Sequence, residues 1–484
     1  RTVAAGVLMQ DRKVCGAVLL DDHGDFSIVR ARVVIDATGN SVVAAQAGAT
    51  LSEPHYQEPA VQGAGLSPFI PGQVYCNSDY QFIDESDAED VTRAFVMAHD
   101  KFQQEFDVAV LPGTRERRRI VGDVTIQPQD VLLHRRWRDT VAVAASNFDT
   151  HGFIQHPMLM MRPPDEEPLQ AHVPLRALLP VSLDGMLVTG LSISAHRDAM
   201  PVLRMQPDVQ NQGYAAGIAA AMAAAAGCPL REVNIAELQR RLLEKEILPS
   251  EAVASVDGEI ASGNLSADQE ILAKIFMRPD KGRREVKSRF LARPNLDDAL
   301  ILAFLGDSTG RELLRTSISG SGWDEGWNYR GMGQFGASGS LMDCLLFALR
   351  SIGGAAAEIM RLLAALEPES AFSHFRAVTM YFMRWPHQEA AARLERLLEC
   401  PGFSGNHVGT LAEAMRSNRP DMNDNSVRNR QLKELYTAAA LCCCAPGNDF
   451  ACKILTAYRD GMSGVYSAFA AQVLEGHGRA RISK

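Results

Sequence analysis

ARVVIDATGN, residues 31–40, is a short apolar run, Val33 to Ile35, that passes into an acid and then into Ala-Thr-Gly. A buried strand that ends in small residues lets the backbone come close to a ligand. In open α/β sheets ligands lie beyond the carboxyl ends of the strands. Ala37, Thr38 and Gly39 occupy such an end. Upstream, residues 2–36 alternate short apolar runs with turn signals, VAAGVLM, DRKV, CGAVLL and DDHGD. This is the pattern of a small antiparallel ribbon that returns to a buried strand. Downstream, residues 51–170 are rich in Pro, Asp, Gln and aromatics and read as a separate α+β module, with a helix in DAEDVTRAFVMAHDKFQQEF and a strand in TVAVAAS.

A second strand end follows in GMLVTGLSISAHRDAMPVLRMQPDVQNQGYAAGIAAAMAAAAG, residues 185–227. It comprises a strand, a turn containing Gly190, Ser192 and Ser194, a polar stretch with His196 and Arg204, and a long helix. Pro207 suits the first helical turn, Asp208 complements the helix dipole, and Gly227 and Pro229 stop the helix. Its face is almost all Gly and Ala, so Gly213, Ala216 and Gly217 permit close approach of helix, sheet and ligand. Packing against a sheet alone would use the same residues.

Three stretches together carry a resemblance: ARVVIDATGNSVVAAQAGA, GTRERRRIVGDVTIQPQDVLLHRRWRDTVAVAASNFDTHG, and HVPLRALLPVSLDGMLVTGLSISAHRDAMPVLRMQPDVQNQGYAAGIAAA. The first 230 residues or so resemble the FAD-dependent oxidoreductases with a glutathione-reductase-like FAD domain, and residues 300–400 resemble the HEAT-like tail that some members carry. The resemblance implies an α/β fold: a partial Rossmann-like FAD-binding domain with an inserted α+β substrate domain, then an all-α HEAT-like helical repeat domain. The implied division is 1–50 and 171–230 for the FAD-binding domain, 51–170 for the insert, 231–295 for a helical linker and 296–484 for the repeats.

The resemblance also implies roles. Ala37, Thr38 and Gly39 would lie by the FAD, the turn Gly190, Ser192, Ser194 would approach the ribityl chain and flavin, and the helix from Pro207 would aim its N-terminus at the pyrimidine edge. Reduced flavin carries negative charge there, which free N–H groups and the helix dipole stabilise. Arg204 would add to that field or hold a substrate anion. Leu191 replaces an Arg common in the family, and Asn40-Ser41 replaces Gly- or Asp-rich residues. The pyrophosphate-binding G-x-G-x-x-G loop of the family is expected upstream of Arg1, so the 484-residue chain is expected to bind FAD poorly or not at all without it. For proton transfer the candidates are His196 and His151, with Asp149 as an orienting partner of His151. An imidazole titrates near neutrality and can move the proton that accompanies hydride transfer.

GMGQFG, residues 331–336, matches the dinucleotide fingerprint by letter, but DEGWNYR before it is no apolar strand. A glycine-rich loop between helices is the expectation. Segments DALILAFLG, SLMDCLLFALRSIGG, AAAEIMRLLAAL, SHFRAVTMYFMR, QEAAARLERLLE and LKELYTAAALCCC read as amphipathic helices at the spacing of helical-pair repeats, with an irregular bundle as the alternative. A net charge of −9 gives no general attraction to nucleic acid. The alanine-rich run at 215–227 falls short of the ~20 residues that a membrane span needs. The cysteines show no CxxC pair and HExxH does not occur, so no metal set is expected. The expected partners are a small organic substrate, an electron acceptor the sequence does not identify, and a protein at the helical repeats. A cytoplasmic location is favoured. The rival reading is a non-catalytic interaction protein in which the flavin domain is a scaffold.

Overall fold

The computed structural model describes residues 2–52, 58–60, 64–65, 79–80, 88–89, 91–93, 95–96, 115–150, 152–162, 169–260, 267–324, 340–410, 413 and 426–482. The chain groups into two units. The first comprises Arg1–Pro54, Arg117–Asp149 and Pro164–Met277, the second His55–Glu116, Thr150–Pro163 and Arg278–Lys484. The stretch 51–170 is thus shared between them, and residues 231–277 belong with the first.

In the first unit, β1 (Thr2–Gln10), β2 (Lys13–Asp21) and β3 (Phe26–Arg30) form the expected antiparallel ribbon in the order β1-β2-β3. Its turns follow from local chemistry. Asp11 takes the left-handed conformation, φ 53°, between β1 and β2, and the Asp21 carboxylate accepts from the backbone N–H of His23 (2.9 Å) and Asp25 (3.0 Å) between β2 and β3. Gly16 is required where β2 and β3 converge, because a Cβ there would stand 2.0 Å from the Val29 carbonyl oxygen. Ala4 and Val7 of β1 pack on a small core of Val14, Val43, Ala44, Met186 and Val188.

The strand of the opening stretch is β4 (Val34–Asp36). It pairs in parallel with β7 (Met186–Val188), Val34 opposite Met186, Ile35 opposite Leu187 and Asp36 opposite Val188. Val34 N–H donates to the Gly185 carbonyl (2.9 Å) and Thr189 N–H to the Asp36 carbonyl (3.0 Å). All three residues of β7 are buried, as a continuous apolar run covered on both faces should be. Between these strands in the chain, β5 (Thr140–Ser146) and β6 (Leu169–Pro174) pair antiparallel.

Helix α1 (Val42–Gln46) follows β4, and helix α2 (Gln206–Ala226) follows β7. At 1.5 Å per residue α2 is about 30 Å long. Gly227 ends it at φ 64°, donating its N–H to the Ala223 carbonyl. Ala215, Ala216, Ala219 and Ala223 form its buried stripe, and α2 packs on β5 and β4.

The second unit is helical in its C-terminal part. Its helices are α3 (Pro279–Ala292), α4 (Leu296–Phe304), α5 (Arg311–Gly320), α6 (Leu341–Ile352), α7 (Ala356–Ala364), α8 (Phe372–Arg384), α9 (Ala391–Glu399), α10 (Ser426–Cys444), α11 (Asp449–Gly461) and α12 (Gly464–Ile482). Every amphipathic segment expected there is helical. Helices α8, α9, α11 and α12 all pack on α10. Within this unit the buried Arg376 guanidinium pairs with the Glu58 carboxylate, donates to the Ile154 carbonyl (3.1 Å) and lies 4.6 Å from the Phe347 ring centroid. Gln155 also donates to Glu58 (2.9 Å), so the segments around residues 58 and 155 are fastened to α8.

No described helix is long and apolar enough to cross a membrane. The GMGQFG motif and most of the helix expected at 87–106 lie outside the described residues. The motif's described flanks are α5 and α6, both helices.

Candidate functional site

Parallel pairing of β4 and β7 brings the two strand ends to one edge of the first unit. Beyond β4 the chain turns sharply, and Asp36 builds the turn. One carboxylate oxygen accepts from Thr38 N–H (3.0 Å) and the Thr38 hydroxyl (2.7 Å); the other accepts from Ala44 N–H (2.9 Å) at the start of α1. The Thr38 hydroxyl in turn accepts from Val42 N–H (3.0 Å). An acid at the strand's end is therefore needed locally: it satisfies donors that the turn and the first turn of the helix leave without backbone partners.

The two ends are then tied together. Ser41 N–H donates to the buried Ser192 hydroxyl (2.9 Å). Asn40 accepts from Arg118 N–H (2.9 Å), and the Ser41 hydroxyl donates to the Arg118 carbonyl (3.2 Å). Asp36, Asn40, Ser41 and Arg118 are the residues that sequence reasoning missed. The acid two residues before a Thr was the one available signal; the link to Arg118 spans almost eighty residues and leaves no local pattern.

Gly39 (φ 77°) and Gly190 (φ 76°) both need the left-handed region. A Cβ on Gly39 would meet nothing within 4 Å, while one on Gly190 would touch Val209 of α2 at 3.6 Å. The Gly190 turn therefore abuts the first turn of α2. That turn carries no side-chain cap, and Gln206 and Pro207 are exposed. Asp208 does not cap the helix; it accepts from Ala145 N–H (3.2 Å), and burial raises its carboxyl above the usual range.

The remaining candidates are distributed as follows. Ala37 and Thr38 are exposed at the edge. Ser194 is buried, its hydroxyl 2.8 Å from that of Thr125. Ser192 and Ser194 thus spend their hydroxyls in bracing the turn. Arg204 donates to the Asp149 carbonyl (2.7 Å) and carboxylate (3.1 Å), so Asp149 has a cation as partner. His196 is half-buried; its Nδ1 accepts from Asp198 N–H (3.1 Å), which leaves the neutral ring's proton on Nε2. His151 lies outside the described residues. On α2, Ala216 is buried whereas Gly213 and Gly217 border open space, with nothing within 4 Å of a Cβ at either.

A cavity of about 450 Å³ lies at the opposite, amino ends of β4 and β7, bordered by Lys13, Arg32, Val33, Gly185 and Cys228. It is on the wrong side for a ligand of a parallel sheet, since loops and helix N-termini gather at the carboxyl ends.

The first unit is thus a mixed α/β unit in which two parallel strands end at one edge. A family model described as FAD dependent oxidoreductase matches residues 81–242, about a third of the chain. The match covers β7, its turn and the whole of α2, and the β4 turn lies about forty residues before it. FAD is the cofactor that this family match implies. No curated protein and no solved structure matches the chain.

Proposed function

We propose that the protein is an FAD-dependent oxidoreductase that transfers hydride from a small organic substrate to the flavin, with the isoalloxazine seated over the paired ends of β4 and β7. The observation that carries this reading is the parallel register of these strands, which sets the 37–39 turn, the Gly190 turn and the open N-terminus of α2 along one edge. The residues suit the group. Gly39 and Gly190 keep the backbone free of side chains where a planar ring must approach, and Gly39 has space on its open side.

Bound FAD supplies the two-electron acceptor. The uncapped N–H groups at the start of α2 favour negative charge at their end, and the helix dipole adds to that field. Asp149 compensates part of the Arg204 charge, so Arg204 is a weaker anion site than a free guanidinium. His196, with Nδ1 accepting from Asp198 N–H and the ring's proton on Nε2, would orient a substrate oxygen as a hydrogen-bond donor. The division into an FAD domain, a substrate module and a helical repeat region is part of the same proposal.

The test is anaerobic mixing of flavin-loaded protein with panels of alcohols, amines and hydroxy acids while flavin absorbance is followed. Bleaching by one class supports the proposal. Absence of bleaching by any reductant except dithionite supports a scaffold. His196→Ala should slow the bleaching about tenfold if the imidazole N–H orients the substrate; an unchanged rate removes it from the mechanism.

A further inference from the structure

We propose that Arg118 is the carboxylate anchor of the β4–β7 edge, so that the substrate oxidised there is a small organic acid rather than a neutral alcohol or a simple amine. The inference rests on the flavin reading above and names the substrate class of that same site.

Main-chain bonds fix where this side chain starts. Arg118 N–H donates to the Asn40 side chain (2.9 Å) and its carbonyl accepts from the Ser41 hydroxyl (3.2 Å), while Ser41 N–H donates to the Ser192 hydroxyl in the Gly190 turn (2.9 Å). Arg118 therefore lies against the point where the two turns are joined. The next two residues, Arg119–Ile120, form a short strand that pairs with Leu51–Ser52 and packs on the Gly190–Ser192 turn. In an extended segment, residues two apart share a face. Ile120 belongs to the core with Val43 of α1 and Val188 of β7. Arg118 shares that face, one step along the segment towards the joined turns.

The charge there is unpaired. Arg118 is half-buried, its Nε is enclosed without a hydrogen-bond partner, and no carboxylate pairs with it among the described residues. Two other cations near the edge are occupied: Arg204 is paired with Asp149 (3.1 Å), and the buried Arg119 donates to the Arg117 carbonyl (3.0 Å). A guanidinium held partly out of water, with an N–H unsatisfied, is complemented by a planar anion that takes two parallel hydrogen bonds, and a carboxylate has that geometry. The cofactor's pyrophosphate is the competing source of an anion. The isoalloxazine, not the pyrophosphate, is the part assigned to these turns, and this favours the substrate.

Oxalate is the probe, because it is a carboxylate with no hydride to give. It is added to the whole chain, with and without FAD, and melting is compared with that in sodium chloride of equal ionic strength. Replacing the side chain leaves both main-chain bonds of residue 118 in place, so Arg118→Gln keeps the turn. The proposal expects oxalate to raise the wild-type melting temperature by about 2 °C or more, to leave that of Arg118→Gln near its chloride value, and to give Arg118→Lys an intermediate shift. The FAD dissociation constant of Arg118→Gln, from flavin fluorescence, should be unchanged. In the bleaching assay 2-hydroxy acids should outpace their methyl esters about tenfold, an advantage lost in Arg118→Gln. Equal oxalate shifts in wild type and Arg118→Gln would overturn the proposal. So would weakened FAD binding in that variant with its oxalate shift retained, which would assign the guanidinium to the pyrophosphate. Bleaching by acids and esters alike would sink the anchor and leave the flavin reading intact. An Arg118-dependent oxalate shift in a protein that no organic substrate bleaches would sink the flavin reading and leave the anion site standing.

Discussion

The Asp36 carboxylate at the end of β4 holds a turn. Its two oxygens serve three donors, one of them the buried Ala44 N–H. Asp36→Ala should destabilise the first unit by about 3 kcal/mol, because a buried donor is left without a partner, and Asp36→Asn by roughly half, since one oxygen remains. Urea denaturation checks both; equal, near-zero effects would show that the turn stands without the acid. His172 on β6 gives a pH-dependent counterpart. Its Nδ1 is buried without a partner, and burial, followed by the charges of His134 and Arg136, lowers its pKa to about 4, opposed weakly by Glu251. The folded state thus prefers the neutral ring. Stability is full above the unfolded pKa near 6.5 and is lost as pH falls towards 4, by up to about 3 kcal/mol. His172→Phe should flatten that slope; an unchanged slope would assign it to other groups.

At the scale of elements, the strand ends were legible because apolar runs bounded by Thr-Gly mark buried strands, and α2 was legible because Pro207 and Gly227 punctuate it. What held the ends together was not legible. Ser192 looked like a cofactor contact, yet its hydroxyl receives Ser41 N–H across 151 positions. The Gly213–Gly217 face looked like the close-packed side of α2, but the packed stripe is Ala215, Ala216, Ala219 and Ala223. Residue type alone could not choose between them, since a helix of Gly and Ala has almost no amphipathic contrast. Ala219→Leu should therefore destabilise the first unit by about 1–3 kcal/mol through overpacking. The same change at Gly217, which borders open space, should be neutral or slightly stabilising because Gly is the poorer helix former. Thermal melts of the two variants compare them directly, and equal effects would contradict the assignment of faces.

Each of the two units holds a buried titratable group, and these two groups respond to acid in opposite directions. In the second unit Asp343, at the start of α6, is 6% exposed, and burial raises its carboxyl to about 6, with Ser340 and Arg376 opposing and Asp324 adding to the rise. One of its oxygens has no partner. A carboxyl raised in the folded state costs stability above that pKa and nothing below its unfolded value. Wild-type stability relative to Asp343→Asn should therefore improve as pH falls from 7 to 4. At pH 8 the variant should be the more stable by about 3 kcal/mol. A difference that does not change with pH would place the ionisation elsewhere. Acidification should thus cost stability at His172 in the first unit while relieving Asp343 in the second.

The central claim is that the flavin rests on the joined ends of β4 and β7. Amide hydrogen exchange of the protein, with and without saturating FAD, tests it most directly. The account predicts that FAD slows exchange together at residues 37–41, at 190–192 and in the first turn of α2. Protection confined to other segments, such as 331–336, with these three unchanged, would contradict it.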